Sequence, residues 1–267
     1  MSVLPDALKN VKALTFDVFG TVVDWRSTVH GELIRRARDK IASSAFEKLP
    51  ESLQSHLKDI SDEDWGTFAQ EWRNSYGKFT WSFVPGKTEW KDIDTHHYDS
   101  LKELLQKWGV AGVYTEEETR SLSLTWHYLR PWDDSAAGIQ KLGTRYVTAT
   151  LSNGNRSLLE DLNEHGTLGF RRIISTADFG AYKPHPSTYR GAVDTLNCMP
   201  EQVAMVAAHL GDLQAARTNG LRTIYVEREG EESQDDSEWQ DARDWVDLWI
   251  SQEEEGFIEL ARRLGIP

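Results

Sequence analysis

The sequence predicts an α/β protein: a doubly wound parallel sheet, forming a Rossmann-like core, with an inserted helical cap domain. After about residue 140, short apolar or β-branched runs alternate with helical patterns, which is typical of a parallel sheet covered by helices on both faces. The long stretch before it carries amphipathic helical patterns and many aromatic residues, without a run typical of a strand. We therefore expect a core formed by residues 1–25 and 131–267 and a cap formed by residues 26–130.

Six short runs are the candidate strands of the sheet. Each is apolar or β-branched and is followed by turn-forming or polar residues. They span residues 11–16, 146–151, 172–175, 203–207, 222–226 and 245–250. Helical patterns such as SLLEDLNEHG and PSTYRGAVDTL separate the later runs and supply the crossover connections that parallel strands require.

Composition narrows the class of partner. The 267 residues are 39% hydrophobic, enough for one core and a smaller companion unit. Thirty basic and 43 acidic side chains give a net charge of −13, which argues against nucleic acid or an anionic membrane surface as a partner. A single cysteine, Cys198, excludes an intramolecular disulfide and fits a reducing compartment. The stretch MSVLPDALKN shows no apolar run typical of a signal peptide or membrane span, so we expect a cytoplasmic protein.

The stretch TFDVFGTVVDW contains the first candidate catalytic residue. A buried strand ends at Asp17, and Gly20 and Thr21 then predict a tight loop. Ligands of open α/β sheets bind at the carboxyl ends of the strands, so Asp17 is placed for chemistry. Phe19, two residues later, cannot donate a proton to a leaving group.

Three later segments place polar residues at the ends of strands. They are Ser152 and Asn153 in TATLSNGN, Lys183 in FGAYKPHPSTY, and Asp212 in VAMVAAHLGDLQAA. Taken singly, each has an ordinary explanation as a helix cap, a turn or a surface charge. It is their combination and order that indicates a site.

In the order DVFGT, LSNG, YKP and a strand followed by Asp, the chain resembles the four-motif signature of the haloacid dehalogenase superfamily. The resemblance implies that Asp17 is a nucleophile, that Ser152 and its neighbour bind the anionic group of the substrate, and that Lys183 stabilises the charged nucleophile. Phosphatases of the superfamily carry a second Asp two residues after the nucleophile, whereas type II 2-haloacid dehalogenases carry an aromatic residue. Phe19 favours the dehalogenase branch.

The same resemblance implies that no metal or cofactor takes part. Phosphatases of the superfamily bind magnesium partly through an acid in a GDSxxD run. With Asp212 as the last Asp of that run, the ligand position is Ala208, which offers no oxygen to a hard cation.

A cap segment strengthens the resemblance. Trp65, Phe68, Trp72 and Phe79 form one stripe of a helix, and Arg73 flanks it; alone, Arg73 would be assigned to the surface. The stretch EWRNSYGKFTW, however, resembles the segment in which type II dehalogenases carry their halide-binding arginine.

The resemblance also bears on the final motif. Thr21, Tyr189 and Asp212 fall on family functional positions, which implies that Thr21 and Tyr189 bind the substrate and that Asp212 is catalytic. Ala207, Ala208 and His209 instead replace the Ser-Ser-Asn run of other members, whose asparagine helps position the hydrolytic water. Either His209 takes over that role or this subgroup has different chemistry.

These positions predict the first half of a reaction on a small 2-haloacid. Asp17, kept ionised by Lys183, would displace the halide and form an ester. Ser152 and the backbone amides after Asp17 would hold the substrate carboxylate, and Arg73 with Asn153 would receive the halide.

The remaining residues are assigned to the cavity wall and to water. Trp81 and Trp90 of the cap, with Phe19, would form a dry wall around the alkyl group. Asp212 or His209 would then activate the water that hydrolyses the ester to give a 2-hydroxy acid.

Two alternatives stay open at this point: a phosphatase of the same superfamily, and a non-catalytic binding or regulatory member. A homodimer is an expectation of the resemblance alone. Residues 229–241, EGEESQDDSEWQD, are acidic and poorly hydrophobic, and we expect them to form a mobile surface excursion rather than part of a site.

Overall fold

A computed structural model describes residues 5–232 and 236–267, and it contains seven strands in that part of the chain. The strands are β1 Ala13–Phe16, β2 Val23–Asp24, β3 Arg130–Pro131, β4 Val147–Thr150, β5 Val203–Ala207, β6 Arg222–Val226 and β7 Leu248–Ile250. Five of them form one sheet in the order β4, β1, β5, β6, β7, with every pairing parallel. The prediction of a parallel sheet is therefore confirmed.

The order in which strands are added to the sheet switches from one side of β1 to the other. Phe16 at the end of β1 pairs with Thr150 of β4 on one side and with Val206 of β5 on the other. Successive strands are thus added first on one side of β1 and then on the opposite side. This switch point opens a crevice at the carboxyl end of β1, immediately where Asp17 follows.

Helices bury both faces of the sheet. Those of the described residues are α1 Trp25–Ile41, α2 Glu51–Asp59, α3 Asp62–Ser82, α4 Ile93–Lys107, α5 Glu116–Ser123, α6 Ser135–Leu142, α7 Arg156–His165, α8 Pro186–Thr195, α9 Leu210–Thr218, α10 Asp236–Trp245 and α11 Gly256–Arg263. Alternate residues of β5 belong to different hydrophobic clusters: Ala204 and Val206 to one, Val203, Met205 and Ala207 to the other. Burial on both faces explains why this strand is a continuous apolar run.

The helical cap is inserted between β2 and β3. These two short strands pair antiparallel, Val23 with Pro131 and Asp24 with Arg130, so the chain leaves the core and returns to it at adjacent positions. Helices α1 to α5 lie between them. The helical insertion is confirmed, and the exact division of the chain at residues 25 and 131 stays a prediction.

Helix α3 carries the predicted aromatic stripe. Trp65, Phe68 and Trp72 are buried, and Phe79 is half-buried and stacks on His96 with ring centres 4.3 Å apart. Arg73 is half-buried on the flank of the stripe, as its position in the sequence predicts. At 21 residues α3 is the longest helix of the described residues, and none of these helices combines the length and the apolar character that a membrane span needs.

The predicted strand at 172–175 is wrong, because this segment makes only two isolated bridges, Ala149 with Arg172 and Ser152 with Ser175. The Thr150 hydroxyl takes the place of ladder bonds: it donates to the Ile174 carbonyl at 3.0 Å and accepts the Ile174 N–H at 2.9 Å. The last strand is shorter than the predicted 245–250, since α10 continues to residue 245.

His127 links the cap to the core. It lies in the single 3₁₀ turn that follows α5, and its ring is buried. Its Nδ1 is 2.7 Å from a carboxylate oxygen of Asp161 on α7, and its Nε2 is 3.0 Å from Asp94 on α4. Burial alone would lower the pKa of His127, but hydrogen bonds to and the charges of these two carboxylates raise it above its ordinary value of 6.5.

We predict that this link weakens as pH rises. A raised folded pKa means that the stabilisation is fully present below the unfolded pKa and is lost as pH rises through the folded pKa. The loss of unfolding free energy in Asp161→Asn should therefore be greatest below pH 6.5, the ordinary pKa of histidine, and shrink as pH rises above it. Urea titrations across this range measure it. The exposed Asp133→Asn serves as the control, and a pH-independent difference for Asp161→Asn would contradict the prediction.

Candidate active site

Asp17 lies at the carboxyl end of β1, where its side chain is only 11% exposed. Its backbone N–H donates to the Val206 carbonyl at 3.0 Å and so continues the sheet pairing to this residue. The Thr21 hydroxyl donates to Asp17 Oδ2 at 2.8 Å, and Lys183 Nζ donates to Oδ1 at 2.9 Å. Both carboxylate oxygens are therefore fixed in direction.

Lys183 connects two carboxylates. Its Nζ also donates to Asp212 Oδ2 at 2.5 Å, and the Tyr189 hydroxyl donates to Asp212 Oδ1 at 2.6 Å. Burial opposes the charge of Lys183, but Asp17 and Asp212 raise its pKa above the ordinary value. Burial likewise opposes ionisation of Asp17, yet Lys183 and His209 hold its pKa far below the ordinary range, so Asp17 is ionised at neutral pH.

Asn153 fixes the backbone of Lys183. Its Oδ1 accepts the Lys183 N–H at 2.8 Å and the Thr176 hydroxyl at 3.1 Å. Because the amide oxygen is used twice, its NH₂ group is left for the cavity, where the Tyr76 hydroxyl is a neighbour. The LSNG motif thus ends β4 and positions the lysine of a motif thirty residues later.

His209 bridges Asp17 to a second acid. Its Nδ1 is 3.1 Å from Asp17 Oδ2, and its Nε2 is 3.1 Å from Glu231 Oε2. Burial would lower the pKa of His209, but hydrogen bonds to and the charges of Asp17 and Glu231 raise it to about 10. The imidazole is therefore a cation while Asp17 is ionised, and both ring nitrogens donate.

The expectation that residues 229–241 form a surface excursion outside the site is wrong for Glu231 and Glu232, whereas Glu229 and Gly230 are exposed. The Glu231 side chain is 5% exposed, and its Oε1 accepts the Trp25 indole N–H at 2.7 Å. The next acid, Glu232, accepts the Leu210 N–H at 2.7 Å. Residues 233–235 of the predicted loop lie outside the described residues. No local pattern in the sequence indicated Glu231.

A cavity of about 860 Å³ opens above these groups. Nine of the predicted site residues line it: Asp17, Phe19, Arg73, Trp81, Asn153, Lys183, Tyr189, His209 and Asp212. Its walls come from both the core and the cap. The structure therefore brings the four motifs and Arg73 together around one space.

Arg73 faces this cavity among aromatic rings. Its guanidinium carbon lies 4.7 Å from the ring centre of Tyr76, 5.5 Å from that of Trp25 and 5.8 Å from that of Phe19. The faces of these rings attract the cation and help to hold it at the cavity. Trp25 and Tyr76 are site residues that the sequence analysis missed, although Tyr76 follows Arg73 by three positions on the same helix.

Two residues predicted to contact substrate lie behind the cavity surface. Thr21 is fully buried and saturated: it donates to Asp17 and accepts the Ala208 N–H at 2.9 Å. Ser152 is also fully buried, and its hydroxyl turns back to the Gly154 N–H, 3.5 Å away. Thr21 braces the Asp17 carboxylate, and Asn153 takes the place at the cavity wall that we assigned to Ser152.

The predicted aromatic wall is only partly correct. Phe19 is buried against the cavity, but Trp81 is 81% exposed at its edge. Trp90 does not belong to the lining, because its ring stacks on Tyr182 with the centres 4.8 Å apart. The inner wall is formed by Trp25 and Tyr76 in place of Trp90.

An ionised aspartate, a lysine and a second aspartate at the switch point of a parallel sheet, under a helical cap, define a hydrolase of the capped α/β class. The comparison with family models agrees with this class. The haloacid dehalogenase-like hydrolase model matches residues 11–220, and the chain belongs to that family.

Individual relatives are consistent with the family. The crystal structure of a defluorinating L-2-haloacid dehalogenase is 29% identical, has a TM-score of 0.79, and is matched over 99% of this chain and 100% of that chain. An (S)-2-haloacid dehalogenase of Pseudomonas sp. strain CBS-3 is 25% identical over 82% of this chain and 85% of its own length. A glyceraldehyde 3-phosphate phosphatase of Pyrococcus furiosus is 27% identical over 57% of this chain and 64% of its own length.

Proposed function

We propose that the protein hydrolyses short 2-haloacids to 2-hydroxy acids through a covalent ester on Asp17, without a metal ion. One observation carries the proposal: the ionised Asp17 and the aromatic-framed Arg73 line the same cavity, and the residue two positions after the nucleophile is Phe19. Displacement of a halide requires a carboxylate nucleophile and a cation near the leaving atom. Two relatives that are dehalogenases match this chain over most of their own length, and this supports the assignment.

In the first half-reaction, Asp17 attacks the carbon that carries the halogen. Oδ1 accepts one hydrogen bond, from Lys183, whereas Oδ2 accepts from both Thr21 and His209, so Oδ1 is the freer oxygen for attack. Lys183 keeps the carboxylate ionised and aligned. The backbone amides after Asp17 and the NH₂ group of Asn153 hold the substrate carboxylate.

The halide leaves towards Arg73. The Arg73 guanidinium is framed by the rings of Phe19, Trp25 and Tyr76. Charge that develops on the leaving atom is therefore stabilised in a region with little water. This stabilisation acts in the first half-reaction only, because the second contains no halide.

In the second half-reaction, water attacks the ester carbonyl. Esterification removes the negative charge of Asp17 and with it one of the two carboxylates that hold the proton on His209. The pKa of His209 then falls, the imidazole releases a proton to solvent, and its Nδ1 accepts a proton from the attacking water. Cleavage of the ester returns Asp17 as a carboxylate and releases the 2-hydroxy acid, and His209 is again a cation.

His209 is better placed than Asp212 to be the base. Both Asp212 oxygens are already occupied, by the ammonium of Lys183 and the hydroxyl of Tyr189. His209 contacts Asp17 directly. We therefore assign water activation to His209, and to Asp212 the task of holding Lys183.

Metal independence rests on the residues around Asp17. Ala208 stands where the phosphatases of the superfamily carry an acid, and its methyl group supplies no ligand. Its backbone N–H donates to Thr21, and Asp17 and Asp212 already face two cations, Lys183 between them and His209 beside Asp17. These residues do not fit a magnesium site, so no step is assigned to one.

Halide release distinguishes this function from its alternatives. We expect the purified protein to release halide from 2-chloropropionate or fluoroacetate at the same rate with EDTA as with added magnesium. Phosphate release from a phosphate ester that requires magnesium would identify a phosphatase instead. Release of neither product would indicate a non-catalytic member.

Arg73→Ala should impair ester formation much more than ester hydrolysis. The expected cost is about 2–4 kcal/mol in the barrier for halide release, comparable to loss of one preorganised charge-stabilising donor. Arg73→Lys, which keeps the charge without the planar group, should fall between this variant and the wild type. Rapid-quench measurement of halide and of esterified protein separates the two steps. Unchanged turnover in Arg73→Ala would mean that Arg73 has no role in the reaction.

Oxygen transfer tests the covalent step. In a single turnover in ¹⁸O water with enzyme in excess, the product should be largely unlabelled, because its new oxygen comes from Asp17. Solvent label should instead enter the peptide of residues 15–25, as mass spectrometry would show. Label in the product of the first turnover would mean direct attack by water and would overturn the covalent mechanism.

A further inference from the structure

Glu231 is a buried carboxylate in contact with the proposed base. Its two oxygens have separate partners: Oε1 accepts from the Trp25 indole, and Oε2 from His209 Nε2. A buried carboxylate is retained only where it is paired and hydrogen-bonded, and both conditions hold here. Glu231 nevertheless has no part in the proposed chemistry of Asp17, Lys183 or Arg73.

The surrounding backbone is arranged to admit this side chain. Gly20, in the loop that follows the nucleophile, has φ 85°, and a Cβ at this position would lie 2.1 Å from Glu231 Oε2. Any side chain at residue 20 would therefore displace the carboxylate. Glycine in the DVFGT motif serves the turn, which needs the positive φ, and also leaves the space that Glu231 fills.

Residues 228–232 are held against the nucleophile loop at several points. Arg228 Nε donates to the Thr21 carbonyl at 3.0 Å, and its guanidinium forms a buried ion pair with Asp134. Arg26 donates to the Gly230 carbonyl at 3.0 Å. Glu232 accepts the N–H of Leu210 in the first turn of α9. The segment therefore holds both Glu231 and the backbone that follows His209.

The geometry decides which nitrogen of His209 can act. A carboxylate accepts hydrogen bonds and donates none, so Nε2 keeps its proton as long as Glu231 is ionised. The proton that His209 loses after esterification of Asp17 must then come from Nδ1, the nitrogen next to the ester. An acid that orients an imidazole and sets its tautomer is the arrangement of the serine protease triad.

We infer that Glu231 is a positioning residue for ester hydrolysis: it holds His209 as the Nε2–H tautomer and directs Nδ1 at the Asp17 ester. The inference rests on the proposed function and extends it. Once Asp17 is esterified, Glu231 is the acid that still contacts the imidazole, so it keeps Nδ1 basic enough to accept the proton of water. The proton then passes from water to Nδ1, while Nε2 keeps its own proton and its hydrogen bond to Glu231.

Other charges around His209 do not replace this role. Asp17 faces Nδ1 from the loop after β1 and is neutral as the ester. Lys183 and Asp212 face each other beyond Asp17, and Glu232 is bound to the backbone of α9. Within the described residues, Glu231 is therefore the acid that contacts His209 in both halves of the reaction.

Single-turnover kinetics of Glu231→Gln provide the main test. Gln keeps the size of the side chain and removes its charge. We expect the halide burst to change by less than about threefold, ester hydrolysis to slow about 10²-fold or more, and the Asp17 ester to accumulate as a heavier protein. Glu231→Asp should recover part of the hydrolysis rate because it restores the charge.

The matched control is Glu229→Gln, the same change two residues away at an exposed position of the same segment. It should behave as the wild type. Ester hydrolysis at the wild-type rate in Glu231→Gln would overturn the inference. So would equal loss of both half-reactions in a variant whose unfolding curve is unchanged, because that would mean a merely structural role.

A second readout separates this inference from the proposed function. In ¹⁵N-histidine-labelled protein without substrate, with the His209 signals assigned from a His209→Gln sample, the pKa of His209 should fall by about one unit or more in Glu231→Gln and stay unchanged in Glu229→Gln. An unchanged pKa in Glu231→Gln overturns the inference even if halide is released. A lowered pKa in a protein that releases no halide would instead refute the proposed function while the contact of Glu231 with His209 stands.

Discussion

The rest of the site depends on keeping Asp17 ionised away from water. A buried carboxylate costs several kcal/mol unless donors and a counter-charge replace its hydration. Lys183 supplies the counter-charge, Thr21 a neutral donor and His209 a second cation. Lys183 in turn needs Asp212, and His209 needs Glu231, so the network extends outward from one aspartate until each of these charges has a partner.

The same constraint links the cap to the chemistry. Arg73 belongs to α3 of the cap, whereas Asp17 follows β1 of the core, and aromatic rings pack between the two. Trp126 lies edge-on to Trp72, with ring centres 5.4 Å apart, and stacks against Trp25 at 6.1 Å. Because this packing is dense and apolar, the position of the guanidinium depends on the position of the whole cap. A movement of the cap over the core would therefore change the distance between Arg73 and Asp17.

In the proposed reaction, the alternation of charges lets one site serve two steps with opposite needs. Displacement of a halide needs a negative nucleophile and cations around it, whereas hydrolysis of an ester needs a neutral base. In the proposed reaction, the change from one state to the other follows from the chemistry itself, since esterification removes the charge of Asp17. His209 contacts Asp17 through Nδ1 and Glu231 through Nε2. It is therefore the group whose protonation changes when Asp17 is esterified.

Much of this protein follows from the sequence alone. Most of the strands and helices, Asp17 at the end of β1, and Arg73 on the flank of an aromatic stripe could be predicted, because periodicity and strand ends are local properties of the chain. Lys183 and Asp212 were found through the order of the motifs, since Lys183 lies in a loop before α8 and Asp212 in the first turn of α9. Tertiary structure decided the rest. Glu231 is paired with Trp25 across 206 residues, Ser152 turns to the backbone while Asn153 faces the cavity, and Trp90 stacks on Tyr182 outside it. An acidic, weakly hydrophobic segment has no periodicity that reports a distant partner, so its composition predicts solvent exposure. Only the folded chain supplies the indole and the imidazole that make burial of Glu231 favourable.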